Sequence, residues 1–278
     1  MILTCATNLY QYEFVMLCSI AKNLNYDLKV CGSNLKWEGC KTKYKAYYEE
    51  LLNCEENDLI ICADAYDTIP LRSYEDFKSI YNNNFSNNKI VASAETNCIP
   101  GICQTIENWK GFSAIRNRRK YVNSGLICGK AKALKKFWKL ALDSDILDDQ
   151  IFLGKYMNLN DDESNITLDH ESLLMQTAVN IDNKNTFAED LVSKNSMDGG
   201  GVCFLHLPAL GAFQKQRKVY SEVLKAVALR TNLEHAIHVR WATRFVPFQL
   251  DAFVVKLLFV IGVLVLLCVF LVFNKIKR

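Results

Sequence analysis

The chain has 278 residues, 50% hydrophobic and 23% charged, which is enough apolar material for a sizeable core and too much for a disordered chain. The formal net charge is only +3, and Lys and Arg alternate with Asp and Glu, so the basic stripe that nucleic-acid binding requires is missing. The eleven cysteines form no C-x-x-C pair, which argues against a zinc site; their odd number and spacing suit a reducing compartment.

In chain order, residues 1–6 read as a first strand, with no basic segment ahead of a long apolar run that would mark a signal peptide. A helix over 13–24, a strand over 28–31, a helix over 43–54 and a buried strand over 58–63 follow. Ser73-Tyr74-Glu75-Asp76 is a capping box opening a helix through Tyr81, and an Asn-rich turn leads to a strand over 89–93. Residues 97–119 lack a period and read as a functional loop with a short helix. A strand over 121–128 turns at Gly129 into a helix over 130–142; then come a helix over 148–157, a short strand over 166–168, a hinge at Gly199-Gly200-Gly201 and a strand over 202–206. This alternation predicts an α/β domain with a mostly parallel sheet over 1–212. A helical linker over 213–251 then leads to residues 252–273, in which Lys256 is the single charge, long enough to cross a bilayer as one helix; the basic tail 274–278 follows. Positive charge flanks both sides of that span. Insertion after synthesis predicts a tail-anchored, single-pass membrane protein whose N-terminal domain faces the cytosol rather than a lumen.

The chemistry concentrates where Leu59-Ile60-Ile61-Cys62-Ala63 runs into Asp64-Ala65-Tyr66-Asp67. Ligand crevices of open α/β sheets lie at the carboxyl ends of strands. Two carboxylates three residues apart can turn toward one hard cation, Mg²⁺ or Mn²⁺, of the kind that accompanies a substrate diphosphate.

The blocks D-A-Y-D, Ser93-Ala94-Glu95, Tyr121-Val122-Asn123-Ser124-Gly125, Asp148-Asp149-Gln150 and Leu168-Asp169-His170 stand in an order that resembles the glycosyltransferase domain of the procollagen lysyl hydroxylases (the PLOD-type family), related to the collagen galactosyltransferases, over about residues 1–210. The resemblance implies a GT-A (Rossmann-like) nucleotide-sugar-binding fold, a UDP-hexose donor, Mn²⁺ (or Mg²⁺), and a protein or glycan hydroxyl as acceptor. It maps Asp64, Asp67 and His206 onto the metal ligands and Tyr66 onto the aromatic that stacks on uracil. Trp37, in Trp37-Glu38-Gly39-Cys40, resembles the start of the family's donor loop, and Lys43 falls where a lysine meets the donor phosphates, although the glycine-rich run before it is missing. Asp148 and Asp149 resemble the end of an acidic run that faces donor and acceptor; paired carboxylates can orient sugar hydroxyls or take a proton, and helix N-terminal charge would account for one of the two. Asn123, Ser124 and Gly125 would form a tight polar turn near the donor sugar.

Two departures bear on activity. His206 is followed by Leu207-Pro208 where the family has Gly-Asn-Gly, and Cys98-Ile99-Pro100 replaces Cys-Trp-Pro near the acceptor. Three readings therefore stand: a membrane-anchored transferase, a catalytically inactive GT-A-fold membrane protein serving as an envelope or scaffold component, and a GT-A sugar-nucleotide enzyme outside this family with a different acceptor.

Overall fold

Three apolar runs at the start of the chain pair as parallel strands in a computed structural model that describes residues 1–85, 90–95, 119, 121–157, 166–177 and 201–208, all within the unit Met1–Leu233. β1 (Ile2–Cys5) lies between β2 (Leu28–Cys31) and β3 (Leu59–Asp64). The connections are α1 (Tyr12–Asn23) and α2 (Cys40–Leu51), giving a Rossmann-like βαβ half. β4 (Thr68–Pro70) and α3 (Tyr74–Asn84) follow, then β5 (Ile90–Glu95), β6 (Tyr121–Lys130), α4 (Ala131–Asp143), α5 (Asp149–Met157), β7 (Ile166–Asp169), β8 (Met175–Thr177) and β9 (Phe204–His206).

The mixed sheet runs β2-β1-β3-β6-β5-β8-β9-β4, with β7 also paired to β5. β6 is antiparallel to both β3 and β5, and β4 is antiparallel to β9; the other described strands share one direction. The carboxyl ends of β1, β3, β5 and β9 therefore share one edge of the sheet, and the start of β6 lies there too.

Alternation along the strands explains the two layers. Leu3, Ile60 and Cys62 point to one face, under Tyr44 and Tyr47 of α2 and Phe137 and Trp138 of α4. Ile2, Leu59 and Ile61 point to the other, against Phe77 and Tyr81 of α3. α4 buries Ala131, Leu134, Phe137, Trp138 and Ala141, a helical stripe whose Trp138 ring packs 5.0 Å from Tyr47. α3 starts at the expected cap: the Ser73 hydroxyl oxygen accepts from the Asp76 amide at 3.2 Å. Lys41 of α2 spans to the end of α4, where its ammonium donates to the carbonyls of Ala141, Leu142 and Ser144 and satisfies the orphan acceptors of that helix.

Some expectations change. β4 and β8 are three-residue strands, too short for periodicity to reveal. The stretch around Gly129 is no turn: β6 continues to Lys130, with Gly129 paired to Ile60. α2 begins at Cys40 rather than Lys43, after Gly39 at φ 88, a left-handed conformation that glycine adopts without strain. Among the described residues no helix is long and apolar enough to cross a membrane. The loop expected over 97–119 falls outside the described residues except for Arg119, as do the linker 213–251, the span 252–273 and the basic tail.

Candidate functional site

The end of β3 is held by hydrogen bonds to its own carbonyls. Thr4 Oγ1 and the Tyr47 hydroxyl donate to the carbonyl of Ala63 at 2.8 and 3.0 Å, and Thr68 Oγ1 donates to that of Asp64 at 2.6 Å. The Leu207 amide donates to the Asp67 carbonyl at 2.9 Å, continuing the β4–β9 ladder in which Thr68 faces His206. These contacts bring Asp64, Asp67 and His206 together, each offering one ligand atom within 4.8 Å of the others.

His206 Nε2 lies 3.5 Å from Asp67 Oδ2, without hydrogen-bond geometry, and 4.0 Å from Asp64 Oδ2. Both ring nitrogens of His206 and Oδ1 of Asp67 are buried with no hydrogen-bond partner, and a cation would satisfy one of the two nitrogens and the oxygen. Burial opposes protonation of His206, but Asp67 and Asp64 more than offset it and hold the imidazole above the usual histidine range. Burial pushes Asp64 up to about 6, against the opposing pull of Lys43. Gly125 makes room for the imidazole: a Cβ there would fall 2.1 Å from His206 Cε1 and 2.4 Å from Nε2.

Lys43, almost wholly buried, bridges two carboxylates. Its ammonium donates to Asp64 Oδ1 and Asp149 Oδ2, both at 2.6 Å, and approaches the Ser124 carbonyl at 3.5 Å. Burial alone would lower its pKa and raise that of Asp149; their mutual attraction wins, raising the lysine and holding Asp149 below the usual carboxylate range. The bridge lies in the wall of a cavity of about 510 Å³ that Asp64, Asp67, Asp149, Trp37 and Tyr66 also line. Trp37 is 50% exposed. The Tyr66 hydroxyl accepts from the Asn8 amide at 2.9 Å and its ring meets Phe14 edge-on, which fixes its plane.

Other expected residues are placed differently. Asp148 is exposed and absent from the cavity; its Oδ1 accepts from the Ile151 amide at 2.8 Å and caps α5. Asn123, Ser124 and Gly125 do not form a turn. They lie within β6, where the ladder with β5 jumps from Ala92↔Ile127 to Ser93↔Asn123, a bulge that leaves 124–126 unmatched on the β5 side. The Leu-Asp-His block is structural at its centre: Asp169 accepts from the amides of Leu173, Leu174 and Met175 at 2.7–2.8 Å.

The sequence reading missed Glu95 and Gln150 as a pair. Gln150 donates to Glu95 Oε1 at 2.8 Å and accepts from Asn123 Nδ2 at 3.4 Å, all three being buried. Burial raises Glu95 to about 7, while the hydrogen bonds from Gln150 and Asn123 pull it down. Its signal was present: an acidic residue ending the apolar strand β5 at the same edge as Asp64.

The sequence profile of the PLOD GT domain matches residues 1–197, which contain every residue placed above except those of the last strand segment. The chain belongs to the PLOD GT domain family. It thus carries a glycosyltransferase family domain. A relative in Acanthamoeba polyphaga mimivirus is 28% identical over 165 residues, covering 56% of this chain and 34% of that protein, so the chain spans about a third of that relative's length. Among solved structures, the chain is similar to a glycosyltransferase involved in glycosylation of the major capsid of PBCV-1, with 11% identity and a TM-score of 0.49 over 80% of this chain and 97% of that one. It is also similar to an active-site mutant of LgtC, with 11% identity and a TM-score of 0.45 over 80% and 94% of the two chains.

Proposed function

We propose that this PLOD GT domain is a metal-dependent GT-A transferase that moves a hexose from a UDP-sugar to a hydroxyl of a protein or glycan. The observation that carries the reading is the trio of half-buried Asp64 and Asp67 with buried His206, in which Asp67 Oδ1 and the His206 ring nitrogens lack partners, the two carboxylates lining a cavity of about 510 Å³.

Two carboxylates and an imidazole suit Mn²⁺ or Mg²⁺, and these residues would hold it. When bound, the cation supplies positive charge against the diphosphate as the sugar bond breaks. The protein's own groups do the rest. Tyr66, its plane fixed by Asn8 and Phe14, offers a face to the uracil, and Trp37 covers the nucleotide from the cavity rim. Lys43 adds a fixed charge on the phosphate side. Asp149, kept ionised by Lys43, accepts hydrogen bonds from sugar hydroxyls rather than serving as the base. Glu95, buried and bonded to Gln150, braces the residue next to Asp149 rather than facing the cavity. Asp148 acts indirectly, by capping the helix that carries Asp149.

The apolar residues 252–273 support a single-pass C-terminal anchor in the lipid bilayer, with the transferase domain in the cytosol. A glycosylation acceptor engineered into an exposed loop of that domain stays unmodified in cells if this orientation holds; its modification would place the domain in a lumen.

The test of function is calorimetric titration of UDP into the full-length protein with and without Mn²⁺, on wild type and Asp67→Ala. Binding that needs Mn²⁺ and is lost in the variant supports the donor site. Absence of binding to folded wild-type protein overturns it and leaves the inactive membrane protein as the reading.

A further inference from the structure

β1 and β2 run parallel and in register, so their last residues, Cys5 and Cys31, are direct cross-strand neighbours. Both side chains belong to the core cluster on the α2 side of the sheet, which puts the two sulfurs on one face. Adjacent strands lie about 4.8 Å apart, inside the roughly 4.4–6.8 Å between Cα atoms that a disulfide spans. Cys31 Sγ donates to the Thr4 carbonyl at 3.3 Å, which turns it toward β1.

Gly32 adds a second constraint. It has φ +77, and a Cβ there would fall 2.8 Å from Cys5 Sγ, so the bare glycine is what lets that sulfur pack against the turn after β2. Cys5 itself lines the cavity beside Asp64 and Lys43, which gives a small reagent access to it. The other thiol lining the cavity among the described residues, Cys40, stands at the start of α2.

We propose that Cys5 and Cys31 are a thiol–disulfide exchange site built into the cavity wall, with a small disulfide of the glutathione type as oxidant. The Cys5 thiolate attacks one sulfur of R–S–S–R, forms the mixed disulfide Cys5–S–S–R and expels RS⁻, which takes a proton. The Cys31 thiol then attacks the Cys5 sulfur, its proton passing to the departing sulfur, and forms Cys5–S–S–Cys31 with release of the second RSH. Two protein thiols are oxidised and one disulfide is reduced to two thiols; excess RSH reverses both steps.

The cross-link draws the sulfurs to about 2.05 Å and pulls the end of β2 toward β1. Residues 32–39, which start at that end, carry Trp37 into the cavity wall. Oxidation therefore displaces Trp37 and weakens the nucleotide. This consequence rests on the UDP-sugar reading, whereas the cross-link itself does not.

The test treats full-length protein with oxidised glutathione, blocks remaining thiols with iodoacetamide, and maps linked peptides by mass spectrometry alongside UDP titration in Mn²⁺. The expected result is a Cys5–Cys31 link, UDP affinity at least ten-fold lower, and recovery in dithiothreitol. Cys31→Ala is expected to stop at a stable glutathione adduct on Cys5. Alkylation of both cysteines after oxidation, or their linkage to other cysteines, would overturn the site. A mapped link with unchanged UDP affinity would overturn the coupling to the nucleotide. If reduced protein fails to bind UDP, the functional reading fails, and the peptide map still decides the exchange site.

Discussion

Gly125→Ala puts a methyl group where the structure has the face of the His206 ring. The new carbon would sit 2.1 Å from Cε1, 2.4 Å from Nε2 and 2.6 Å from Nδ1, so the ring must retreat by at least about 1.3 Å to reach ordinary contact. Metal–ligand distances tolerate only about 0.2 Å, so a shift of that size removes His206 from a shared cation position. Loss of one of three protein ligands is expected to weaken Mn²⁺ by at least about 100-fold, or roughly 2.7 kcal/mol. The same overpacking should cost about 1–3 kcal/mol of fold stability. Mn²⁺ titration followed by the resonance of the free ion, with thermal unfolding in chelator, measures both effects. His206→Ala supplies the control: once the ring is gone, adding Gly125→Ala should cost little more on either scale. A Gly125→Ala protein that binds Mn²⁺ like wild type, or a double variant whose losses simply add, would refute the reasoning.

Mn²⁺ binding should be pH-dependent, since the cation competes with a proton on Asp64, whose pKa is about 6, and with one on His206, held above the usual histidine range. Affinity is expected to rise with pH through those values and, below pH 6, to fall by up to about 100-fold per unit for two protons; titrations from pH 5 to 8 with flat affinity would contradict this. Lys43→Met leaves Asp64 and Asp149 facing each other without their counter-ion, and urea unfolding in chelator should show a loss of about 3 kcal/mol, smaller when Mn²⁺ is present. Asp169→Asn removes one of the two charged acceptor oxygens that hold Leu173, Leu174 and Met175, and is expected to cost about 1–3 kcal/mol with Mn²⁺-dependent UDP binding intact, which unfolding and calorimetry together would check.

How much of this was legible in the sequence depended on whether the signal was local. Asp64 and Asp67 declare themselves by following a buried strand, and His206 by ending another; the pairing of β9 between β8 and β4 does the rest. The two neighbours Asp148 and Asp149 look alike in sequence because both fit a helix start. Only the capping bond to Ile151 and the ion pair to Lys43 separate them. Lys43 was expected to face phosphate, yet no local pattern reveals that two carboxylates, 21 and 106 residues away, meet on its ammonium. The bulge in β6 and the Glu95–Gln150 contact are likewise non-local, products of strands joined far apart in the chain. The Leu-Asp-His block shows the opposite error: a motif that stands out because it carries a turn.

Lys41 and Lys43 stand two residues apart near the head of α2 and reach the same short stretch by different means. Lys41 grips the carbonyls of Ala141, Leu142 and Ser144, and Lys43 grips the carboxylate of Asp149. The helix is a splint. A tilt of α2 carries both attachment points with it, so the end of α4 and the Asp149 start of α5 move as one lever instead of drifting independently. Substitutions in the buried stripe of α2, remote from any ligand, would retune both ends in concert, and neither end could be adjusted alone without first cutting one of the two lysine ties.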